Sequence, residues 1–96
     1  MNLSVRPRAA ADIEDAHSWY ESQRRGLGGE FLDAISAVFA VLRESPQRYR
    51  VVHRDTRRAN VRRFPFGVFY RIIGEDVVVI ACFHARRDPR SWRGRT

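Results

Sequence analysis

The sequence predicts an α+β fold of two layers, β-α-α-β-β-β, in which a helical hairpin packs on one face of a small, mainly antiparallel sheet. Two observations carry this prediction. In the first half, apolar residues recur twice at spacings of 4, 3 and 4, the period of an amphipathic helix. In the second half, three runs of β-branched and aromatic residues are separated only by short Gly- and Pro-containing stretches. The length of 96 residues predicts one domain spanning 1–96, because two would each be too short to bury a core, with a basic tail from about residue 85. A hydrophobic fraction of 44% excludes a disordered chain.

The elements follow in order. Leu3-Ser4-Val5 alternates and is stopped by Arg6-Pro7-Arg8, which suits a short strand running into a helix begun at Pro7. Ala9, Ile13, Ala16 and Tyr20 then form one helical stripe, and Gly26 of Gly26-Leu27-Gly28-Gly29 is the expected C-terminal cap. Phe31, Ile35, Val38 and Leu42 form the stripe of a second helix, which Ser45-Pro46 ends. Residues 47–60 are polar and Arg-rich and read as an irregular connection with at most one extended segment. Strands are expected at Val61 to Phe64, Val68 to Ile73 and Val77 to Phe83, the last two joined by a tight hairpin at Gly74-Glu75-Asp76. With the N-terminal strand they would make a sheet of four.

Eighteen basic residues against eleven acidic give a net charge of +7, and all eighteen are Arg. The expected partner is therefore acidic, and a lysine base is excluded. The longest apolar run, Val77 to Phe83, falls far short of a membrane span, and its Cys82 is the one cysteine, so neither a disulfide framework nor a Cys-pair metal site is expected. The N-terminus lacks the apolar core of a secretory signal, and the expectation is a cytoplasmic protein. His17, His53 and His84 lie far apart and predict no metal site, and no phosphate-binding Gly motif or nucleophile elbow is present, so no cofactor is expected.

Three chemical features remain. Arg71 alternates with Phe69 and Ile73 on one sheet face, and strand alternation would send Arg62 and Arg63 to opposite faces. His84 follows the apolar strand and precedes Arg86-Arg87, the position of a candidate acid/base group. Trp19 lies beside the stripe of the first helix and is expected to pack, whereas Trp92 stands in a polar tail and, unless that tail folds back on the sheet, is the better candidate for a partner surface.

Arg62-Arg63-Phe64-Pro65-Phe66-Gly67-Val68-Phe69-Tyr70-Arg71, the run Val77 to Phe83, His84-Ala85-Arg86-Arg87-Asp88-Pro89 and Trp92 together resemble the ParE branch of the RelE/ParE toxin superfamily. Ala11 to Ala16, Trp19-Tyr20 and Gly26 to Leu32 are similar to the helical hairpin of those toxins. The resemblance implies the toxin of a type II toxin–antitoxin system, associated with plasmid stabilisation, that inhibits DNA gyrase by binding and has no catalytic residue of its own. It places target contact at Arg86, Arg87, Asp88, Arg90 and Trp92. The alternative it carries is a RelE-like endonuclease cutting mRNA on the ribosome, with Arg63 and Arg71 on the phosphate and His84 moving the proton. The chain has no Lys and no Tyr after Tyr70, a departure that favours the ParE-like branch. The implied partner is an acidic, amphipathic antitoxin in a heteromeric complex, with Trp19 and Tyr20 as its anchors on the toxin.

Overall fold

The computed structural model describes residues 1–95, with strands Asn2–Val5 (β1), Val51–His53 (β2), Thr56–Asn60 (β3), Phe66–Ile73 (β4) and Asp76–His84 (β5), and helices Pro7–Gln23 (α1), Leu27–Glu44 (α2) and Arg90–Arg93 (α3). The strands form one mixed sheet in the order β1-β5-β4-β3-β2, in which only β1 and β5 run parallel. The fold class is the expected one; the sheet has five strands rather than four.

Pro7 stands at the first position of α1, where its missing N–H has no helical partner to lose. Gly26 does not cap α1 as expected. The helix closes at Gln23, with the Arg24 N–H on the Tyr20 carbonyl, and Gly26 instead takes φ +89° at the N-cap of α2. Glu21 of the last turn of α1 then accepts from the Gly26 N–H (3.0 and 3.1 Å) and the Gly28 N–H (3.0 Å), satisfying donors that the start of α2 leaves without helical partners. Gly28 is required by packing, since a Cβ there would come within 2.7 Å of the His17 ring.

The expected strand at Val61 to Phe64 is a turn, and the strand lies earlier, at Thr56–Asn60. Pro65 has no N–H to give a ladder, the Val61 N–H bonds the Phe66 carbonyl at 2.9 Å across the turn, and Arg63 adopts φ +72°. Val61 and Phe64 are buried beneath the helices, so their apolar character comes from plugging the core rather than from pleating. The Arg-rich stretch pairs as β-structure because its side chains find local partners. Arg57 donates to the carbonyls of Tyr49 (2.6 Å) and Gln47 (3.2 Å), while Arg58 lies over the Phe69 ring.

Two cores result, one on each face of the sheet. Ala16, Tyr20, Phe31, Ile35, Val38 and Leu42 of the hairpin pack on Val68, Tyr70, Val77, Val79 and Cys82. On the opposite face Phe69, Ile80, Ala81 and Phe83 are covered by Trp92. A bulge makes the division possible. Phe69 pairs with Ala81 and Tyr70 with Val79, so Ile80 is an extra residue, and both Ile80 and Ala81 face away from the helices.

Candidate functional site

β1 pairs with β5 only as far as Val79, which leaves the rest of that β5 edge without a neighbouring strand. Side chains take its place. The Cys82 N–H donates to Asp12 Oδ2 at 3.0 Å, and Arg95 Nη1 donates to the Ile80 carbonyl at 3.2 Å and to Asp12 Oδ2 at 2.6 Å. This ion pair is nearly enclosed, at 10% and 13% side-chain exposure, and it fastens the end of the chain to α1. Burial, with Asp12 nearby, pushes the Cys82 thiol up to about 12, so it stays a protonated core group.

Past this clasp the space between α1 and the end of β5 opens into a groove. Asp12, Asp15, Ala16, Phe83 and Arg87 line one part; Ala16, Trp19, Tyr20 and Pro65 line the other; Phe66 and His84 border both. His84 is exposed and sits edge-on to Phe66, its Nδ1 accepting the Arg86 N–H at 3.1 Å. That bond assigns the ring proton to Nε2 in the neutral imidazole.

The tail folds back from this point. The Arg87 N–H bonds the His84 carbonyl, and the Asp88 carboxylate accepts from the Arg90 backbone (2.9 Å) and guanidinium (2.8 Å), which holds Asp88 below the usual carboxylate range. Arg86, Arg87, Asp88 and Arg90 are all exposed along this turn. Trp92 is not. It stacks on Phe69 with centroids 4.4 Å apart and keeps 7% of its surface exposed.

The expectations for the two tryptophans are thus reversed, because Trp92 has the aromatic back of the sheet to cover. Trp19, turned outward from α1, remains 59% exposed and rests edge-on against Tyr20 at 5.1 Å. Tyr20 itself is buried among Phe31, Phe64 and Phe66, and that burial raises its hydroxyl pKa. Only Trp19 of the two anchor residues offers a free ring face.

Arg63, Arg71 and His84 do not converge. Arg63 bonds Glu30 of α2 at 2.9 Å, Arg71 lies near Asp55 (3.6 Å) on the sheet face away from the helices, and His84 borders the α1 groove. Arg62 and Arg63, expected on opposite strand faces, both sit exposed on the 61–65 turn. The residues that sequence reasoning missed are Phe66, Asp12 and Arg95. A signal existed for Asp12, which precedes Ala16 and Tyr20 at helical spacing and so puts a carboxylate on the buried stripe. Among the described residues no three His, Cys, Asp or Glu side chains converge as a metal site, and no helix is long and apolar enough to cross a membrane.

Residues 3–89 match the family of the ParE toxin of the type II toxin–antitoxin system parDE. The chain belongs to this family. No curated protein matches it in sequence. The ParE-family fold is matched by a chain from the chromosomal ParDE toxin–antitoxin system of P. aeruginosa, at TM-score 0.78 and 17% identity over 88% of this chain and 95% of that one. It is also matched by the isolated E. coli RelE toxin, at TM-score 0.61 and 18% identity over 97% of this chain and 93% of that one. As a ParE-family member the chain is a type II toxin, and its family implies an antitoxin partner.

Proposed function

We propose that this toxin inhibits DNA gyrase by binding it, without a catalytic step of its own, and that a cognate antitoxin neutralises it in the cytoplasm. The observation that carries the reading, beside family membership, is the dispersal of Arg63, Arg71 and His84. An acid/base group and its phosphate clamps must act on one reacting centre. Here one arginine is bound to α2, one lies on the far sheet face, and the histidine is at the opposite end of β4–β5 from Arg71.

The tail turn has the features of a binding surface. Arg86, Arg87 and Arg90 project outward, Asp88 holds Arg90, and Trp92 braces the segment from inside. In this reading Trp92 contributes by positioning its neighbours. The antitoxin's apolar anchor belongs in the groove beside Trp19, with Tyr20 as its floor. Its acidic part belongs elsewhere, because residues 1–46 hold five Arg and seven carboxylates and residues 47–96 hold thirteen Arg and four. An acidic segment is drawn from the groove toward the sheet and tail.

The RelE-like reading has one feature in its favour, an exposed His84 whose ring is fixed by the Arg86 N–H on Nδ1. Purified toxin assayed in parallel on gyrase supercoiling and on mRNA bound to programmed ribosomes separates the two. Inhibited supercoiling with intact mRNA is expected, with inhibition lost in Arg86→Ala and kept in His84→Ala. Codon-positioned cuts abolished by His84→Ala would replace this reading with the endonuclease.

A further inference from the structure

We propose that the sheet face turned away from the helices binds the phosphate backbone of duplex DNA without regard to sequence. The charge of the molecule is divided, with net +9 on residues 47–96 and net −2 on residues 1–46. On the back face the positive groups form a continuous cover over an aromatic floor. Arg87 lies 4.4 Å above Phe83, Phe83 contacts Phe69 at 6.4 Å, Phe69 stacks on Trp92, and Arg93 lies 5.6 Å from the Trp92 ring. His53 meets the far edge of Trp92 at 5.9 Å, which brings Arg54 of the β2–β3 turn to the same face. Desolvation first, and then the nearby charges of Arg93 and Arg54, hold the His53 imidazole below its ordinary pKa. Asp55, near Arg71, and Asp88, whose charge interacts with that of Arg93, are carboxylates that oppose this field at the margins of the face.

The same geometry selects among nucleic acids. Single strands are held by bases stacking on open aromatic rings. Here the rings are consumed: Phe69 and Phe83 are 3% exposed, Trp92 is 7% exposed, and Arg87 and Arg95 lie over Phe83. What remains outward around these rings is guanidinium, with Ile73 as an exposed apolar residue farther along β4, and this suits phosphates fixed in a duplex rather than unstacked bases. All of these cations are Arg, so the face keeps its charge throughout the physiological range.

The test is binding of the full toxin to a short fluorescent duplex of random sequence as KCl is raised, with no gyrase or antitoxin present, so its outcome is independent of the gyrase reading. Contacts from Arg54, Arg87 and Arg93 predict a slope of log affinity on log salt of about −2.7, or about 40-fold weaker binding on going from about 50 to about 200 mM salt. The pair Arg54→Asn and Arg93→Gln should reduce that slope by about 2. Asn is chosen at 54 because it tolerates the left-handed backbone there, φ +51°. The pair Arg25→Gln and Arg43→Gln removes equal charge from the hairpin half and should leave the slope unchanged. An equal loss from both pairs, an unchanged slope in the first pair, or a single strand of the same length bound as tightly as the duplex would each overturn the proposal. Arg87→Gln, with an expected loss of about 1 in slope, repeats the test if the first pair fails to fold.

Discussion

On the helix side of the sheet, two amphipathic helices bury Phe31, Leu42 and Tyr70 completely. On the other side one four-residue helix lays Trp92 on Phe69, and arginines cover much of what it leaves. The first face is closed by interdigitated apolar surface from long elements. The second is closed by one ring and by guanidinium groups whose stems pack while their charges stay wet. A thin cover costs little sequence but makes the arrangement of the exposed tail depend on very few contacts.

The strongest way to test this contrast is to open each face in turn. Phe31→Ala removes a ring packed against Tyr20, Phe64 and Phe66, and should lower unfolding free energy by about 4 kcal/mol in urea titration. Trp92→Ala should cost less, about 2–3 kcal/mol, because one side of that ring faces a thin layer. Its particular signature is local. Amides of residues 85–95 should exchange faster while those of α1 and α2 keep their protection, and uniform loss of protection would mean that the two faces are one cooperative unit.

Acid probes the hairpin itself. Glu21 is held below its ordinary value of 4.5 by the Gly26 and Gly28 N–H groups, and Glu30 by hydrogen bonds from Arg24 and Arg63. A carboxylate whose folded pKa is depressed stabilises the fold above its unfolded pKa, and that contribution fades as pH falls through the folded value. Stability should therefore decline below about pH 4.5, and Glu21→Gln should flatten the decline; an unchanged acid limb would remove Glu21 from the account. The smallest expected effect on folding is at Trp19. Trp19→Ala should change stability by no more than about 0.5 kcal/mol while weakening the antitoxin complex by isothermal titration calorimetry. A large loss of stability would show that the exposed ring supports the hairpin.

The contrast between the faces also explains what could be read in advance. The helix-side core was legible because its stripes obey a 3.6-residue period, and Val68 to Ile73 and Val77 to Phe83 because short runs rich in β-branched and aromatic residues fit few other structures. β3 was hidden because Arg57 and Arg58 look like loop residues until the carbonyls of Gln47 and Tyr49 and the Phe69 ring supply their partners. The burial of Trp92 was open for a related reason, since nothing near it in sequence offers a core and its partner Phe69 lies in another element. Of the site, the run of arginines in the tail was legible, whereas the outward turn of Trp19 was not. The tie of Arg63 to Glu30 and the clasp of Asp12 with Arg95 were not, because each depends on residues far apart in the chain.

The parallel pairing of β1 with β5 joins Asn2 to Asp76 and Val5 to Val79, so a strand made before the helical hairpin has its hydrogen-bonding partner in the strand made after β2, β3 and β4. A growing chain on the ribosome can form the helical hairpin early, but β1 must wait, unpaired, until β5 has been translated. A product cut short before β5 therefore has no seat for β1, and the sheet of the toxin is complete only once β5 has been made.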